Sequence, residues 1–330
     1  MDEEGRGQVV EDAWMSEISG YPMARVEGKI RRCQKNLKWW SRENFGNVTR
    51  ALKEKKELFR KAEDAAIQGG SLVKVQRLKK EISDLLVKEE KLWRQWSQAL
   101  WLHEGDQNTS YFHSRATHRF RRNKIDQLED ENGEMCSNEE GVVGILTSYN
   151  QQLFSSSNPI SIEDAVADIP NSVDAEMNQY LTAEYIRAKV ERAMNQMEPL
   201  KAPGPDGLPP LFFQRYWRVV SDDVVATVLS CLQSGAIPPS INYTFITLIP
   251  KVKSPTKVTN YRPISLCNIL YKIVSKVIAN RLKCILPNII SELQSAFQTD
   301  KAVSDNILVA FETLHHMKNQ KSTKSGFMAL

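Results

Sequence analysis

The chain has 330 residues with a net charge of +4, and its 41% hydrophobic and 25% charged residues exclude a disordered or collagen-like protein. No apolar run approaches the ~20 residues that span a bilayer, and the acidic N-terminus has no apolar stretch, so we expect neither a membrane protein nor a secreted one. The five cysteines are an odd number without a Cys-x-x-Cys pair, which disfavours a disulfide scaffold or a zinc ribbon and favours a reducing compartment.

Charge divides the chain into four segments. Residues 1–24 carry a net charge of −5, residues 25–124 carry +13, residues 126–198 carry −12 and residues 199–330 carry +8. We therefore predict an acidic N-terminal tail (1–24), a basic linker (25–125), an acidic connector (126–198) and a C-terminal domain (199–330). The two basic segments favour a polyanionic partner, although solvated helix surface is the alternative explanation for charge alone.

The basic linker is predicted to be helical, because no proline occurs between Pro22 and Pro159 to break a helix. Apolar residues recur at helical spacing over residues 30–66 and again over residues 75–100. Gly69-Gly70 separates the two stripes and indicates a turn. This pattern predicts an antiparallel pair of helices.

A segment of interleaved aromatic and basic residues follows at 101–125. Gly105-Asp106 interrupts the helical pattern, and Asn108 or Thr109 can cap a new helix. The basic side chains of this segment are Arg115, Arg119, Arg121, Arg122 and Lys124. Rings that stack on bases and guanidinium groups that meet phosphates are typical of nucleic-acid contacts. An amphipathic helix with buried aromatic residues and a solvated basic face remains the alternative.

Short helices and loops are predicted for the acidic connector, in which no paired-carboxylate site is evident. The composition changes from residue 199. The proline- and glycine-rich sequence KAPGPDGLPP (201–210) predicts a rigid turn. Helices are predicted over residues 211–217 and from about Asp222 to Gln233. In that reading, the adjacent carboxylates Asp222 and Asp223 lie at a helix start and act as a cap.

Two short strands are predicted next, over residues 242–249 and 261–267, joined by a lysine-bearing loop. A helix that follows is predicted to end at Pro287, and Ser304 to cap a further helix. The last four residues, 327–330, read as the opening of a buried strand.

The strand pair carries Lys251, Lys253, Lys257 and Arg262. Lysine supplies a point charge and arginine a bidentate fork, so cations on both arms of a hairpin can close on a triphosphate. The alternative is an exposed edge loop that lysines keep soluble.

Several motifs together resemble the reverse transcriptases of plant LINE-type, non-LTR retrotransposons. They are PGPDG (203–207), LIPK (248–251), NYRPISLCNILYKIVSKVIANRLK (260–283), QSAF (294–297) and SDNILVAFE (304–312). FGN (45–47) and WLHEGDQNTSYFH (101–113) resemble the segment between endonuclease and polymerase in those polyproteins. The resemblance covers residues 29–330, with the motifs in the family's order.

The resemblance implies an α+β, mostly helical fold, in which a helical-hairpin linker precedes the fingers of a right-hand polymerase with a short β-hairpin. In that family Lys251 and Arg262 face the triphosphate of the incoming deoxynucleotide, and Asp206 forms a turn. The implied partners are an RNA template and a DNA primer, together with the palm, thumb and endonuclease of the polyprotein. The implied location is nuclear or cytoplasmic.

Two departures from the family affect the expected activity. After QSAF the family continues Val-Pro-Gly-Arg, whereas this chain has Gln298, Thr299, Asp300 and Lys301 and so lacks the glycine and the arginine. Lys301 is predicted to contact nucleic acid. The family's first metal-binding aspartate follows FMAL, where this sequence ends at Leu330. We therefore expect a truncated polymerase that binds no Mg²⁺ and is inactive alone, since such enzymes hold two divalent ions on carboxylates.

No substitute metal site is evident in the sequence. Glu312 and His315 lack the second pair that a di-iron site requires, and the histidines at 103, 113 and 118 lack cysteine partners. Two other functional readings remain open. One is a non-catalytic RNA- or DNA-binding module, and the other is a functionless remnant of an element.

Overall fold

The N-terminal half of the chain is almost entirely helical in a computed structural model, which describes residues 5–45, 48–69, 72–97, 109–158, 160–167, 172–290, 294 and 302–319. The elements of this half, in chain order, are α1 (Arg6–Met15), α2 (Pro22–Phe45), α3 (Val48–Ile67), α4 (Leu72–Ser97), α5 (Thr109–Asn123), β1 (Leu128–Glu129), β2 (Met135–Cys136) and α6 (Glu139–Leu153).

The C-terminal half contains shorter helices and one longer β-hairpin. Its elements are α7 (Ile162–Val166), α8 (Ala175–Thr182), α9 (Arg187–Asn195), α10 (Pro210–Arg215), α11 (Trp217–Ser234), α12 (Pro239–Asn242), β3 (Thr244–Pro250), a 3₁₀ turn (Val258–Asn260), β4 (Tyr261–Cys267), α13 (Ile269–Leu282), α14 (Leu286–Ile289) and α15 (Val303–Asn319). The predicted α+β class with a helical majority is confirmed, and both described sheets are two-stranded and antiparallel.

Two compact units make up the fold. Unit 1 contains residues 1–157, 198–227 and 238–269, and unit 2 contains residues 158–197, 228–237 and 270–330. The four predicted segments were defined by net charge, whereas these two units are defined by which residues pack together. The units therefore do not test the charge-based division, which stays a prediction. No helix in the described part of the chain is both long and apolar enough to span a bilayer.

The predicted helical pair around Gly69 is confirmed by α3 and α4. Lys55 of α3 and Glu81 of α4 form an ion pair with an Nζ–Oε2 distance of 2.6 Å. These two positions are nearly equidistant from the turn, as an antiparallel pair requires. The FGN motif falls partly on residues 46–47, which lie outside the described residues.

Helix α1 was not predicted, because its surroundings in the sequence are acidic. Val10 and Trp14 are nevertheless fully buried, and the indole Nε1 of Trp14 donates a 2.9 Å hydrogen bond to Asp223 Oδ2. Lys29 of α2 donates to the same carboxylate oxygen at 2.6 Å. One carboxylate therefore joins α1, α2 and α11.

This contact corrects the prediction that Asp222-Asp223 is a helix cap. Helix α11 begins at Trp217, so the pair lies inside the helix. The predicted start of this helix was wrong because the aromatic stretch up to Trp217 was assigned to the preceding helix. In the structure, Trp217 is the first residue of α11.

A small apolar cluster lies beneath the first hairpin in unit 1. Its buried members are Leu128, Val142, Val258 and Tyr261, and Leu248 packs against them. The turn between β1 and β2 forms because the Asp130 side chain accepts hydrogen bonds from the backbone N–H groups of Asn132 and Glu134. The cluster thus connects the acidic connector to both strands of the second hairpin.

The second hairpin, β3–β4, pairs in one continuous register from Thr244 opposite Cys267 to Pro250 opposite Tyr261. Beyond its last residue, the N–H of Ile269 donates a 2.6 Å hydrogen bond to Asp206 Oδ2, which caps α13. Asp206 is therefore a structural residue, in agreement with its predicted role in the PGPDG turn.

Asn268 fixes the base of this hairpin to the PGPDG turn. Its Oδ1 accepts from the N–H of Asp206 at 3.0 Å. Its Nδ2 lies 3.0–3.2 Å from three carbonyl oxygens, those of Ser240, Ile241 and Tyr243. Gly204 packs directly on the backbone of Cys267 and Asn268. The turn, α12 and the end of β4 therefore form one hydrogen-bonded cluster.

In unit 2, α9 buries Val190, Ala193 and Met194. Helix α13 ends at Leu282, before Pro287, and Pro287 lies in the first turn of the short helix α14 instead. The prediction that Pro287 ends the helix was therefore wrong, because proline is also favoured at the first position of a helix.

The start of α15 also differs from its prediction. Ser304 is the second residue of this helix rather than its cap, and Asp305 accepts a 2.8 Å hydrogen bond from the N–H of Ala302. Because aspartate at the start of a helix can satisfy a free N–H group, it replaces the predicted serine. The strand predicted at 327–330 lies outside the described residues.

We expect Gly204→Ala to destabilise the chain by about 1–3 kcal/mol, because a Cβ at this position would overlap the Cys267 carbonyl and lie 2.7 Å from Asn268 N. Urea unfolding followed by circular dichroism measures the change. Gly144→Ala is the matched control, since a Cβ there meets open space on α6 and should stabilise by up to about 1 kcal/mol. Equal stability of the two variants would contradict the close packing at Gly204.

Candidate functional site

The tip of the β3–β4 hairpin is held against β1 by Glu129. The backbone N–H of Glu129 donates a 2.8 Å hydrogen bond to the Thr256 carbonyl. The Glu129 carboxylate also pairs with Lys257, with 3.2 Å between Oε1 and Nζ. Because β1 follows α5 closely in the chain, these two contacts bring the lysine-bearing loop beside the C-terminal end of the basic helix.

A groove of about 650 Å³ lies between that helix end and the hairpin loop. Its cationic and imidazole-bearing residues are His118, Arg121, Arg122, Lys124 and Lys253. The remaining lining residues are Asp126, Gln127, Ser254, Pro255, Thr256 and Tyr261. Two stretches of sequence that were both predicted to meet phosphate therefore share one concave surface within unit 1.

The charge of this groove is positive, since four lysine or arginine side chains line it against one carboxylate. That carboxylate, Asp126, pairs with Lys124 at 2.5 Å. Arg121 and Arg122 are both exposed on the last turn of α5. Cations at this end of a helix also complement the helix dipole, which accounts for part of their placement.

Three of the predicted nucleic-acid residues form a stripe along α5. Arg115, Arg119 and Arg122 are spaced i, i+4 and i+7, so they share one face, and all three are exposed. The stripe ends at the groove, to which Arg122 belongs. Lys301 lies outside the described residues, and its predicted contact stays a prediction.

Phe120 tests the alternative explanation for the α5 sequence, which is that its aromatic residues are buried. Its side chain is 72% exposed, whereas Tyr111 is half-buried. An exposed phenyl ring among arginines is unfavourable in water but provides a stacking surface for a base. At this position the aromatic–basic pattern therefore does not reflect a buried core.

The predicted triphosphate residues, Lys251 and Arg262, lie at the same end of the hairpin. Arg262 is opposite Ile249 in the strand register, and Lys251 is two residues beyond Ile249. The backbone N–H of Lys251 donates a 2.8 Å hydrogen bond to the Asn260 carbonyl, so the pairing continues just past Pro250 and keeps Lys251 and Arg262 at the same end of the hairpin. Arg262 is exposed, and Lys251 Nζ donates to the Thr259 carbonyl at 2.9 Å.

Tyr261 forms the buried part of the groove. Only 4% of the residue is exposed, and its desolvation, together with the nearby charge of Asp126, raises the pKa of the phenol. The phenol therefore stays neutral at physiological pH. It packs in the Leu128 cluster and gives the groove a rigid wall, a role that sequence analysis did not anticipate.

The carboxylates of the described residues do not fit a two-metal polymerase site. No group of three or more histidine, cysteine, aspartate or glutamate residues capable of holding a metal ion occurs in that part of the chain. Asp206 and Asp223 are engaged in a helix cap and an ion pair. His315 lies within hydrogen-bond distance of Asn319 Nδ2 and stacks on Phe311, with 6.3 Å between ring centroids.

Sequence analysis missed Glu129, the residue that assembles the groove. It belongs to the acidic run after α5, which read as a connector without a site. The signal that could have identified it is the sequence Glu-Asp-Glu-Asn-Gly at 129–133, since Asn-Gly within such a run indicates a tight turn. The hydrogen-bond partner of Glu129, Thr256, is too distant in the sequence for a local pattern to identify.

Comparison with known families identifies a match in the C-terminal part of the chain. Residues 249–330 match the family described as reverse transcriptase (RNA-dependent DNA polymerase). The matched range includes Lys251, Lys253 and Arg262. The part of the groove that α5 contributes lies outside the matched range.

Among curated proteins, the chain is similar to the "Transposon TX1 uncharacterized 149 kDa protein" of Xenopus laevis. The two are 29% identical over 213 residues, which cover 64% of this chain and 16% of the relative. The chain therefore corresponds to a small part of that protein. Its similarity to a transposon protein extends beyond the reverse-transcriptase match.

Proposed function

We propose that the chain is part of the reverse transcriptase of a plant LINE-type, non-LTR retrotransposon, and that its groove binds the phosphate backbone of the nucleic acid being copied. The groove between α5 and the hairpin loop carries this proposal. Basic residues from two separate sequence segments converge there, and one of those segments lies within the reverse-transcriptase match.

The chemistry of the groove suits a phosphodiester chain. Arg121 and Arg122 can each offer a planar fork of N–H donors to phosphate oxygens, and Lys253 supplies a compact charge from the opposite side. The arginine stripe on α5 extends the positive surface beyond the groove. The exposed ring of Phe120 offers a face on which an unpaired base can stack. These contacts do not depend on base sequence, as template binding by a polymerase requires.

The hairpin supplies the second part of the proposed function, which is to hold the triphosphate of a deoxynucleotide. Arg262 lies on β4 and Lys251 directly follows the end of β3, so the strand pairing places the two cations at the same end of the hairpin. The Thr259 carbonyl positions Lys251. Cations fixed in advance at a position where phosphoryl charge develops stabilise that charge without reorganisation.

The described residues bind but do not polymerise in this proposal. Two divalent ions assist phosphoryl transfer in such polymerases, and no group of side chains that could hold a metal ion occurs among the described residues. The proposed partners are accordingly an RNA template, a DNA primer and the palm, thumb and endonuclease portions of the polyprotein. A nucleic-acid-binding module without chemistry of its own is the second candidate function, and the same groove favours it.

We expect the double substitution Arg121→Gln and Arg122→Gln to weaken RNA binding at least about tenfold at 0.1 M salt, because two phosphate contacts are lost. Fluorescence anisotropy of a labelled single-stranded RNA at several salt concentrations measures this. The slope of log affinity against log salt should fall in magnitude by about 1.4.

The matched control for that variant is Arg31→Gln with Arg77→Gln. These arginines are 77% and 78% exposed and pair with glutamates on their own helices, so the net charge changes equally. The control should keep its affinity within about twofold. An equal loss in both variants would show that net charge, and not the groove, governs binding.

Arg262→Ala should reduce binding of a deoxynucleoside triphosphate about tenfold, the usual scale for a charge-assisted phosphate contact. Isothermal titration calorimetry with the full chain measures this. The corresponding deoxynucleoside, which lacks phosphates, should bind equally to both proteins. Lys318→Ala, which removes an exposed charge on α15, is the control, and unchanged triphosphate binding in Arg262→Ala would contradict the proposed role.

The purified chain should not extend a DNA primer on a poly(A) template with deoxythymidine triphosphate and Mg²⁺, because its described residues include no group of side chains that could hold a metal ion. Gel analysis of a labelled primer detects extension, and an active reverse transcriptase under the same conditions is the control. Template-dependent synthesis by this chain would overturn the proposal that it only binds.

A further inference from the structure

Unit 2 contains a second concave surface, which the proposed function does not use. This pocket of about 520 Å³ lies between α9 and α13 and the turn before α9. Its cationic lining residues are Lys189, Arg192, Lys276, Arg281 and Lys283. Glu184 is the one carboxylate that lines it. Pockets of this volume are typical of small-ligand sites, and the excess of positive charge selects an anion.

The two helices present complementary faces to this pocket. On α9, Lys189, Arg192 and Gln196 are spaced i, i+3 and i+7 and so share one side. Lys276, Asn280 and Lys283 follow the corresponding spacing along and just after α13. A hydrogen bond of 2.8 Å from Asn280 Nδ2 to Gln196 Oε1 joins the two faces. The cations are therefore arranged on two walls that an amide bridge holds together.

Arg281 shapes the pocket and does not supply a free charge. Its guanidinium donates to the carbonyls of Leu181 at 2.8 Å and Glu184 at 3.2 Å, and it lies 3.4 Å from the ring centroid of Tyr185. These contacts fix the turn before α9. Across the described residues, no carboxylate lies within ion-pairing distance of the other four cations, whose charges are available to a ligand.

Helix-end stabilisation does not account for this arrangement. Lysine and arginine favour the C-terminal end of a helix, which explains Arg281 in the last turn of α13 and Lys283 just after it. Lys276 is in the middle of α13, and Lys189 is in the first turn of α9, where a positive charge opposes the dipole. The acidic segment 126–198 has only three basic residues, and two of them, Lys189 and Arg192, line the pocket. A local concentration of cations of this kind favours an anionic ligand.

We infer that the pocket between α9 and α13 binds phosphate groups of a single-stranded nucleic acid, as a second contact separate from the groove of unit 1. The inference takes the identity of the polymer, a nucleic acid, from the proposed function. The chemistry that the pocket itself fixes is a phosphate anion. The phosphate can belong to a polynucleotide backbone or to a free nucleotide, and the experiment below distinguishes these two sources.

The test compares Arg192→Gln/Lys276→Gln with Arg218→Gln/Lys318→Gln, a control that removes one exposed arginine and one exposed lysine outside both surfaces. Binding of a labelled single-stranded RNA to each full chain is measured by anisotropy across a salt series. We expect the pocket variant to lose about tenfold in affinity and about 1.4 in the magnitude of the salt slope. The control should remain within about twofold of the unmodified chain.

Calorimetry with a deoxynucleoside triphosphate and the same variants identifies the source of the phosphate. Loss of RNA binding assigns the pocket to a polynucleotide backbone, and loss of triphosphate binding alone assigns it to a free nucleotide. Unchanged binding of both ligands would overturn the inference. If Arg121→Gln/Arg122→Gln weakens RNA binding while the pocket variant changes neither RNA nor triphosphate binding, the inference fails and the groove proposal stands. If the pocket variant weakens binding while Arg121→Gln/Arg122→Gln does not, the groove proposal fails and the inference stands.

Two further variants separate binding from folding. Arg192→Lys/Lys276→Arg keeps both charges and should bind RNA within about twofold of the unmodified chain. Lys189→Gln/Lys283→Gln changes only exposed residues of the same pocket and should weaken binding without shifting the thermal midpoint. If Arg192→Gln/Lys276→Gln shows no thermal unfolding transition, Lys189→Gln/Lys283→Gln takes its place in the test. Unchanged RNA and triphosphate binding by Lys189→Gln/Lys283→Gln would also overturn the inference.

Discussion

The groove of unit 1 depends on the two contacts that Glu129 makes with the hairpin tip. Its backbone N–H binds the Thr256 carbonyl, and its carboxylate pairs with Lys257. The backbone bond is the more specific of the two, because it fixes the position of the loop rather than only attracting its charge. These contacts act together with the apolar cluster around Leu128 and Tyr261, and between them they hold Lys253 beside the end of α5.

The hairpin is fixed at its base as well, through different chemistry. Asp206 caps α13, and Asn268 gathers carbonyl groups from α12 and the residue after it. A two-stranded sheet alone is marginal in water. Anchoring at the base and at the tip therefore makes the hairpin a rigid support for Lys251 and Arg262. The carboxylates that appear most motif-like in the sequence, Asp206 and Asp223, thereby stabilise the fold.

The two positively charged surfaces arise from different sequence patterns. Around Arg121 the basic residues form a dense run that composition alone reveals. The pocket of unit 2 combines cations on two helices that are far apart in sequence, one of them in a strongly acidic segment. Net charge by segment hides such a site, since the few cations of α9 are outnumbered in the sequence but are concentrated on one face in the fold. Surface charge is therefore better judged by helix face than by segment.

The sequence by itself determined the features that depend on neighbours a few residues apart. The α3–α4 pair, α10 and β4 were predictable because apolar spacing and turn residues act locally. The candidate residues of α5 and of the hairpin were also identified within single segments, and their binding roles stay predictions. Only the tertiary structure decided the rest: that Trp14 makes α1 part of the core, that Asp223 pairs with Lys29, and that Glu129 closes the groove. Each of these is a contact between distant segments, whose energy comes from burial and from partners that no local pattern can identify.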